Sequence, residues 1–271
     1  MGIVLGIDVG GSTTKIVGLR GDAIIGVLQV RAADQLTSMF GAVGNFLHKC
    51  KLTLGDVSSI VLTGVGASFF DDNLYGIDTY KVEEFHAIGR GGLHLAGMDE
   101  AFVASLGTGT AFVRAAKDGF THIGGSGVGG GTLLGLASRM INKSDIESIL
   151  ALAETGDLAN VDLSVRDIMS RDIPSLPPNL TASNFGKIKS TATDGDLALG
   201  IINMVFQTVG MLAVFATRND TIKDVILTGT LTMLPQVPKM AKAMSGRSGL
   251  NFIIPPNAVF ATAIGAAMGC S

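Results

Sequence analysis

A strand, a turn of glycines and hydroxyls, and a second strand occur twice in this chain, about a hundred residues apart, and nothing else in it constrains the fold so strongly. The first copy reads Ile3-Val4-Leu5-Gly6-Ile7-Asp8-Val9-Gly10-Gly11-Ser12-Thr13-Thr14-Lys15-Ile16-Val17. An apolar run, a single carboxylate, two glycines, three hydroxyls and a lysine, then more β-branched residues, predict a β-hairpin with a tight turn. The second copy reads Ala101-Phe102-Val103-Ala104-Ser105-Leu106-Gly107-Thr108-Gly109-Thr110-Ala111-Phe112-Val113. An echo of this kind points to two duplicated α/β domains facing each other across a cleft, each giving one hairpin to a shared ligand. Gly10 and Gly11 let backbone N–H groups come within reach of an anion of phosphate size. Asp8 cannot bind phosphate directly, since both are negative. It makes sense if a divalent cation lies between them, because Mg²⁺ takes one or two carboxylates, several waters and phosphate oxygens. The spacing is not that of a P-loop: Ser12 stands where the Walker lysine would be.

The 271 residues and 47% apolar content are enough for one large or two medium domains with a substantial core. The 37 glycines are about twice the usual share, and they gather after apolar runs as ligand loops do. Twenty basic residues against 23 acidic ones, with no basic block, speak against a nucleic-acid partner and for a small molecule. Cys50 and Cys270 are far apart and belong to no CxxC, so they read as small buried or terminal hydrophobes. No charged-then-apolar leader opens the sequence. The longest apolar stretch, 201–216, is interrupted by Asn203, Gln207 and Thr208 and falls short of the ~20 residues of a membrane span. The expectation is a cytoplasmic protein with no membrane partner.

In chain order, a third strand is expected over 23–30, a helix over 35–51 and a buried strand over Ser59-Ile60-Val61-Leu62-Thr63-Gly64. A less regular stretch over 66–81 leads to a helix ending at Ala96. After the second hairpin comes Gly124-Gly125-Ser126-Gly127-Val128-Gly129-Gly130-Gly131-Thr132, a nest of N–H groups before a helix over 133–141. A helix over 144–155 follows, then a loop marked by Pro174, Pro177 and Pro178. The segment 197–217 predicts a long helix, apolar nearly all round, buried in the core or against another subunit. Val225-Ile226-Leu227-Thr228-Gly229-Thr230 predicts a strand with another glycine and hydroxyl turn. In the last helix, over 259–268, Gly265 and Gly269 lie among alanines and permit close packing. The division into domains is expected near Gly97, giving 1–97 and 98–271, with the last helix packing on the first domain.

The turns at Asp8 to Thr13, Gly107 to Thr110 and Gly229 to Thr230, in this order, resemble the superfamily of sugar kinases, actin and heat-shock ATPases. That likeness implies two ribonuclease H-like, actin-like ATPase domains around a nucleotide cleft. Gly156-Asp157, Val165-Arg166-Asp167-Ile168, Leu180-Thr181-Ala182-Ser183-Asn184-Phe185-Gly186, the Gly-Gly-Gly-Thr at 129–132 and Gly265-Ala266 narrow it to the type II pantothenate kinases. This is the eukaryotic-like class also found in staphylococci. The resemblance implies phosphorylation of the primary hydroxyl of pantothenate by ATP with Mg²⁺, the first step toward coenzyme A, in a homodimer. It makes Glu84 the catalytic base and Asp8 the holder of Mg²⁺ through water. Gly10, Gly11, Ser12, Thr13, Lys15, Thr108, Gly109, Gly130, Gly131, Thr132, Leu133, Leu134, Gly229 and Thr230 become the ATP-binding set, and His122, Thr108 and Ala111 the substrate side. Three positions depart from the family pattern. His122 follows Thr121 where an arginine is usual, Ala111 replaces a serine, and His86 replaces an aspartate two residues after the glutamate. All three fall on the acceptor side, which keeps open a kinase for a neutral acceptor such as pantetheine or an amino sugar. The wording of residues 11–15 also resembles activator ATPases of the 2-hydroxyacyl-CoA dehydratase type, whose bridged cluster requires cysteine ligands.

Overall fold

The computed structural model describes residues 2–31, 34–171 and 177–270, with the side chains of residues 247 and 270 excepted; Pro174 lies outside them. The chain forms two compact units. One holds the residues up to Ser126 together with those from Ala213 onward, and the other holds 127–212.

The first unit begins with a sheet whose central strand is the opening apolar run. Strand β1 (Ile3–Val9) pairs antiparallel with β2 (Thr13–Arg20), which pairs with β3 (Ala23–Arg31). Helix α1 (Gln35–Cys50) starts where the Asp34 carboxylate accepts a hydrogen bond from Thr37 N. Beyond it, β4 (Val57–Thr63) returns parallel to β1, and the short β5 (Thr79–Lys81) lies outside β4. Helix α2 (Glu84–Ala96) closes this part. Alternation along β1 sets the two faces. Ile3, Leu5, Ile7 and Val9 pack with Met39, Ala42, Val43, Phe46 and Leu47, one stripe of α1. Val4, Gly6 and Asp8 face the other way.

A second sheet repeats the first. It begins with β6 (Glu100–Leu106), β7 (Thr110–Ala116) and β8 (Gly119–Ser126), an antiparallel meander. The chain then leaves for the second unit: α3 (Gly130–Ile141), α4 (Ile146–Ala153), β9 (Leu163–Ser164), α5 (Val165–Ile168), β10 (Thr181–Ser183) and α6 (Asp194–Ala216). Back in the first unit, β11 (Asp224–Thr228) lies parallel to β6, α7 (Gln236–Ser248) follows, and β12 (Asn251–Ile253) lies outside β11. The order is β3-β2-β1-β4-β5 in one sheet and β8-β7-β6-β11-β12 in the other, so the likeness between the two hairpins extends over all five strands. The last helix, α8 (Ala261–Ala267), packs on β1, β2 and β4, while α2 packs on β6, β7 and β8.

These two helices cross at glycines. A Cβ on Gly91 of α2 would lie 1.8 Å from Ala261 O, and one on Gly265 of α8 would lie 1.9 Å from Ala87 O. Backbone contact this close is open only to glycine.

The second unit is organised around two buried carboxylates. Asp162 accepts from Asn203 Nδ2 at 2.8 Å and Phe185 N at 2.9 Å, and so holds Phe185 at φ +55°. Asp196 accepts from Asp157 N at 2.7 Å and Thr193 N at 2.8 Å, and these bonds lower its pKa below the usual carboxylate range. The motif segments at 156–157 and 180–186 are thus what these two acids fasten to α6.

Helix α6 is 23 residues long and starts three residues earlier than the periodicity predicts, so its length and composition would suffice to cross a membrane. The shorter span read from the sequence stopped at the polar interruptions, which the helix accommodates: Asn203 is spent on Asp162, and Gln207 donates to Thr181 Oγ1 at 3.0 Å. Rather more than half of its most apolar window is buried inside the protein.

Candidate active site

Strand register builds the site. Lys15 on β2, Asp8 on β1 and Thr63 on β4 are partners in one row across the first sheet, on the face away from α1. Lys15 Nζ lies 3.3 Å from Asp8 Oδ2, and both side chains are buried. Gly64, at φ +87°, bends the chain over the other carboxylate oxygen: a Cβ there would lie 2.7 Å from Asp8 Oδ1.

Next to this row stands the first turn of α2. Glu83 is the cap residue and accepts from His86 N at 2.9 Å. The capping task therefore falls to Glu83, and Glu84 forms no hydrogen bond among the described residues. Burial pushes the Glu84 pKa up, the negative charges of Asp8 and Glu83 push it further, and Lys15 partly offsets them. A half-buried, unengaged carboxyl with a raised pKa suits a general base.

The hairpin tips meet. Ser12 Oγ and Thr108 Oγ1, 96 residues apart in sequence, are 3.0 Å from each other. In the first turn Gly10 N donates to Thr13 O at 3.0 Å. Gly10 and Gly11 are absent from the residues with positive φ, so glycine is not demanded there by a left-handed backbone. At Gly11 a Cβ would meet nothing within 4 Å, so the space beside the turn is open there. Gly109 sits in the second turn, between β6 and β7. Gly229 closes on the same hairpin: its φ is +89°, its N donates to Ala258 O at 2.9 Å, and a Cβ would lie 2.6 Å from Leu106 O. Thr230 opens the short 3-10 turn after it.

Gly130, Gly131 and Thr132 form the first turn of α3 in the second unit, so the helix starts three residues before the predicted 133. Gly124, Gly125 and Ser126 belong instead to β8. Thr132 Oγ1 donates to Gly127 O at 2.8 Å and receives from Gly129 N at 3.3 Å, so its hydroxyl shapes its own loop. Leu133 is fully buried and offers a ligand only backbone, whereas Leu134 is exposed.

The residues expected on the acceptor side gather around Phe85. The His122 ring lies flat on it, with centroids 3.8 Å apart and planes 5° apart, and Ala111 packs on the same apolar cluster as Phe85 and Phe120. His86 approaches the Phe120 ring at 5.6 Å. The Arg90 guanidinium lies over Phe120 and donates to Gly265 O at 3.3 Å. Cys50 Sγ occupies the space above Gly26 of β3, 2.5 Å from where a Cβ would stand.

A sequence model of the Fumble family matches residues 100–245. The chain belongs to the Fumble family, that of the type II pantothenate kinases. It is 27% identical over 236 residues to a type II pantothenate kinase of Bacillus cereus, which covers 83% of each chain. It is 30% identical over 189 residues to one of Oceanobacillus iheyensis, 66% of this chain and 70% of that one. Among solved structures, the activator of 2-hydroxyisocaproyl-CoA dehydratase from Clostridium difficile with bound ADPNP superposes with a TM-score of 0.72 over 98% of this chain and 93% of that one. At 17% identity this likeness shows the fold alone, that of the actin-like ATPases. The family match spans the second hairpin, the glycine-rich segment and the Gly229 turn. Asp8, Lys15 and Glu84 lie outside it, and their grouping rests on the geometry above.

Sequence reading missed Glu83, Thr63, Gly64 and Phe85. For Thr63 and Gly64 a signal existed. Val61-Leu62-Thr63-Gly64 and Ile226-Leu227-Thr228-Gly229 are nearly the same words at equivalent strand ends.

Proposed function

We propose that this protein transfers the γ-phosphoryl group of ATP to the primary hydroxyl of pantothenate, the first step toward coenzyme A. The observation that carries the reading is the unengaged Glu84 carboxyl, held beside the Asp8–Lys15 pair in the unit where two glycine and hydroxyl turns touch. Phosphoryl transfer leaves the protein little covalent work beyond positioning and neutralising charge. Glu84 accepts the proton of the attacking hydroxyl. Lys15 offsets phosphate charge, and the turns at Gly10 to Thr13 and Thr108 to Gly109 hold the phosphates, with Gly229 and Thr230 on the nucleoside side; Gly130 to Leu134, in the second unit, are assigned to ATP by family likeness alone. Mg²⁺ fits the donor set at Asp8: a hard cation that takes few carboxylates and keeps its waters meets one carboxylate and, beside it, the orphaned Thr63 hydroxyl. Bound there, it supplies neutralisation of the phosphate oxygens. The duplicated halves are 1–97 and 98–271, a division that the matching strand order of the two sheets supports. The protein works in the cytoplasm, where ATP is supplied, as a homodimer.

A neutral acceptor is the second reading, favoured by Phe85 and its neighbours. On the acceptor side His122 is stacked on an aromatic ring, Ala111 offers a methyl group, and the Arg90 guanidinium is engaged with Gly265 O. None of these presents a free fork for a carboxylate. ADP release with pantothenate, pantetheine and a panel of sugars decides between the two. Turnover with pantothenate well above the other alcohols is expected; pantetheine turned over while pantothenate stays at background would replace the first reading by the second.

A further inference from the structure

Among the described residues, four buried side-chain atoms have no hydrogen-bond partner: the hydroxyls of Thr14, Thr63 and Thr228, and Gln236 Oε1. An orphaned buried hydroxyl has given up its water without a replacement, which destabilises the fold. Valine has the same shape and suits a strand as well, so a buried threonine without a partner in the protein can take one from a ligand where a ligand site lies beside it. Position tells the three threonines apart. Thr14 shares a face of β2 with Ile16, on the α1 side of the first sheet. Thr228 stands in the second sheet, in register with Ser105, where there is no carboxylate. Thr63 is 1% exposed and in register with Asp8, on the face that also carries Lys15. Lys15 occupies Asp8 Oδ2, and the bend at Gly64 brings the Thr63–Gly64 segment against Oδ1.

We propose that Thr63 is a positioning residue of the metal site, its hydroxyl accepting a hydrogen bond from a water in the shell of the Mg²⁺ that Asp8 holds. The inference rests on the kinase reading above and assigns a residue that this reading leaves idle. It accounts for the orphan by completing it with the ligand: metal-bound water is a strong donor, and a partner outside the first coordination shell fixes where the carboxylate and its cation sit. Gly64 has a place in the same account, since any side chain there would press on Asp8 Oδ1, the carboxylate oxygen that Lys15 does not occupy.

The test is Mn²⁺ binding followed by electron paramagnetic resonance in the presence of the imido analogue of ATP, with the Mg²⁺ concentration for half-maximal turnover as a second readout. Thr63→Val should weaken protein-dependent Mn²⁺ binding about tenfold and raise the Mg²⁺ requirement in parallel. Thr63→Ser should restore both, and Thr14→Val, an equally buried orphan on the other face, should match wild type. Thermal denaturation of each variant confirms that it is folded, and Thr63→Ala, which also lacks the hydroxyl, carries the comparison if Thr63→Val is not. Wild-type Mn²⁺ affinity in Thr63→Val, failure of serine to restore it, or an equal loss in Thr14→Val would overturn the assignment. Asp8→Asn separates the two levels. If it binds Mn²⁺ as wild type does, the metal reading at Asp8 fails and Thr63 falls with it. If it loses Mn²⁺ while Thr63→Val does not, this inference alone is wrong.

Discussion

Glu83 and Glu84 show how neighbours of one type come to do different work. The helix start needs one acceptor for its free N–H groups, and Glu83 supplies it. Glu84 is left half-buried with its pKa raised by desolvation first and by Asp8 and Glu83 next. A base acts in its ionised form, so kcat/KM should fall on the acid side below a pKa higher than that of an ordinary glutamate. Glu84→Gln should abolish turnover and leave nucleotide binding intact; near-normal turnover would remove Glu84 from its role. The same shift has a stability consequence of definite sign. The folded protein binds this proton more tightly than the unfolded chain, so the contribution is present below the unfolded pKa and lost as pH rises through the raised one. At neutral pH Glu84→Gln should therefore melt at a higher temperature than wild type, with the difference shrinking as pH is lowered through that window. The position of Glu84 is legible in the sequence through family likeness. Its availability is not, because which of two adjacent glutamates caps the helix depends on where α2 begins.

At the scale of elements, the long apolar and amphipathic stretches are legible: β1, β2, α1, β4, β6, β7 and α6 follow from periodicity alone. The short edge strands β5 and β12, three residues each, are not, since they carry too few residues to alternate and exist by pairing with β4 and β11. The tight packing of Gly265 is legible as a small residue among alanines, whereas its partner is not, because Gly91 lies in a helix from the other half of the chain. The crossing makes a sharp prediction. In Gly265→Ala the new methyl would meet Ala87 O at 1.9 Å, a backbone atom that cannot step aside without moving α2. The variant should lose about 3 kcal/mol, read as a lower denaturant midpoint with an unchanged slope. Gly246→Ala in α7, where a Cβ meets nothing within 4 Å, should keep its midpoint or gain slightly.

Across the whole molecule, two sheets share one topology with different contents at matching places. Asp8, Lys15 and Thr63 in the first correspond to Ser105, Ala111 and Thr228 in the second. One sheet carries the charges and the other only hydroxyls and a methyl group. That division is compatible with a single phosphoryl-transfer centre served by two turns, and it explains why the hairpin echo was legible while the chemistry was not symmetric. Assembly is the remaining question at this scale, and α6 bears on it. Met211 and Phe215, one turn apart on this helix, are 47% and 59% exposed. Phenylalanine and methionine are enriched in protein interfaces relative to the rest of the surface, so this face is the one to test. If the proposed homodimer uses this face, Phe215→Glu should place a charge in the contact and shift sedimentation from dimer to monomer at micromolar concentration, with the melting temperature nearly unchanged, since the residue supports little of the protein's own core. A wild-type protein that sediments as a monomer would dispose of the dimer, and a Phe215→Glu protein that remains dimeric would move the interface elsewhere.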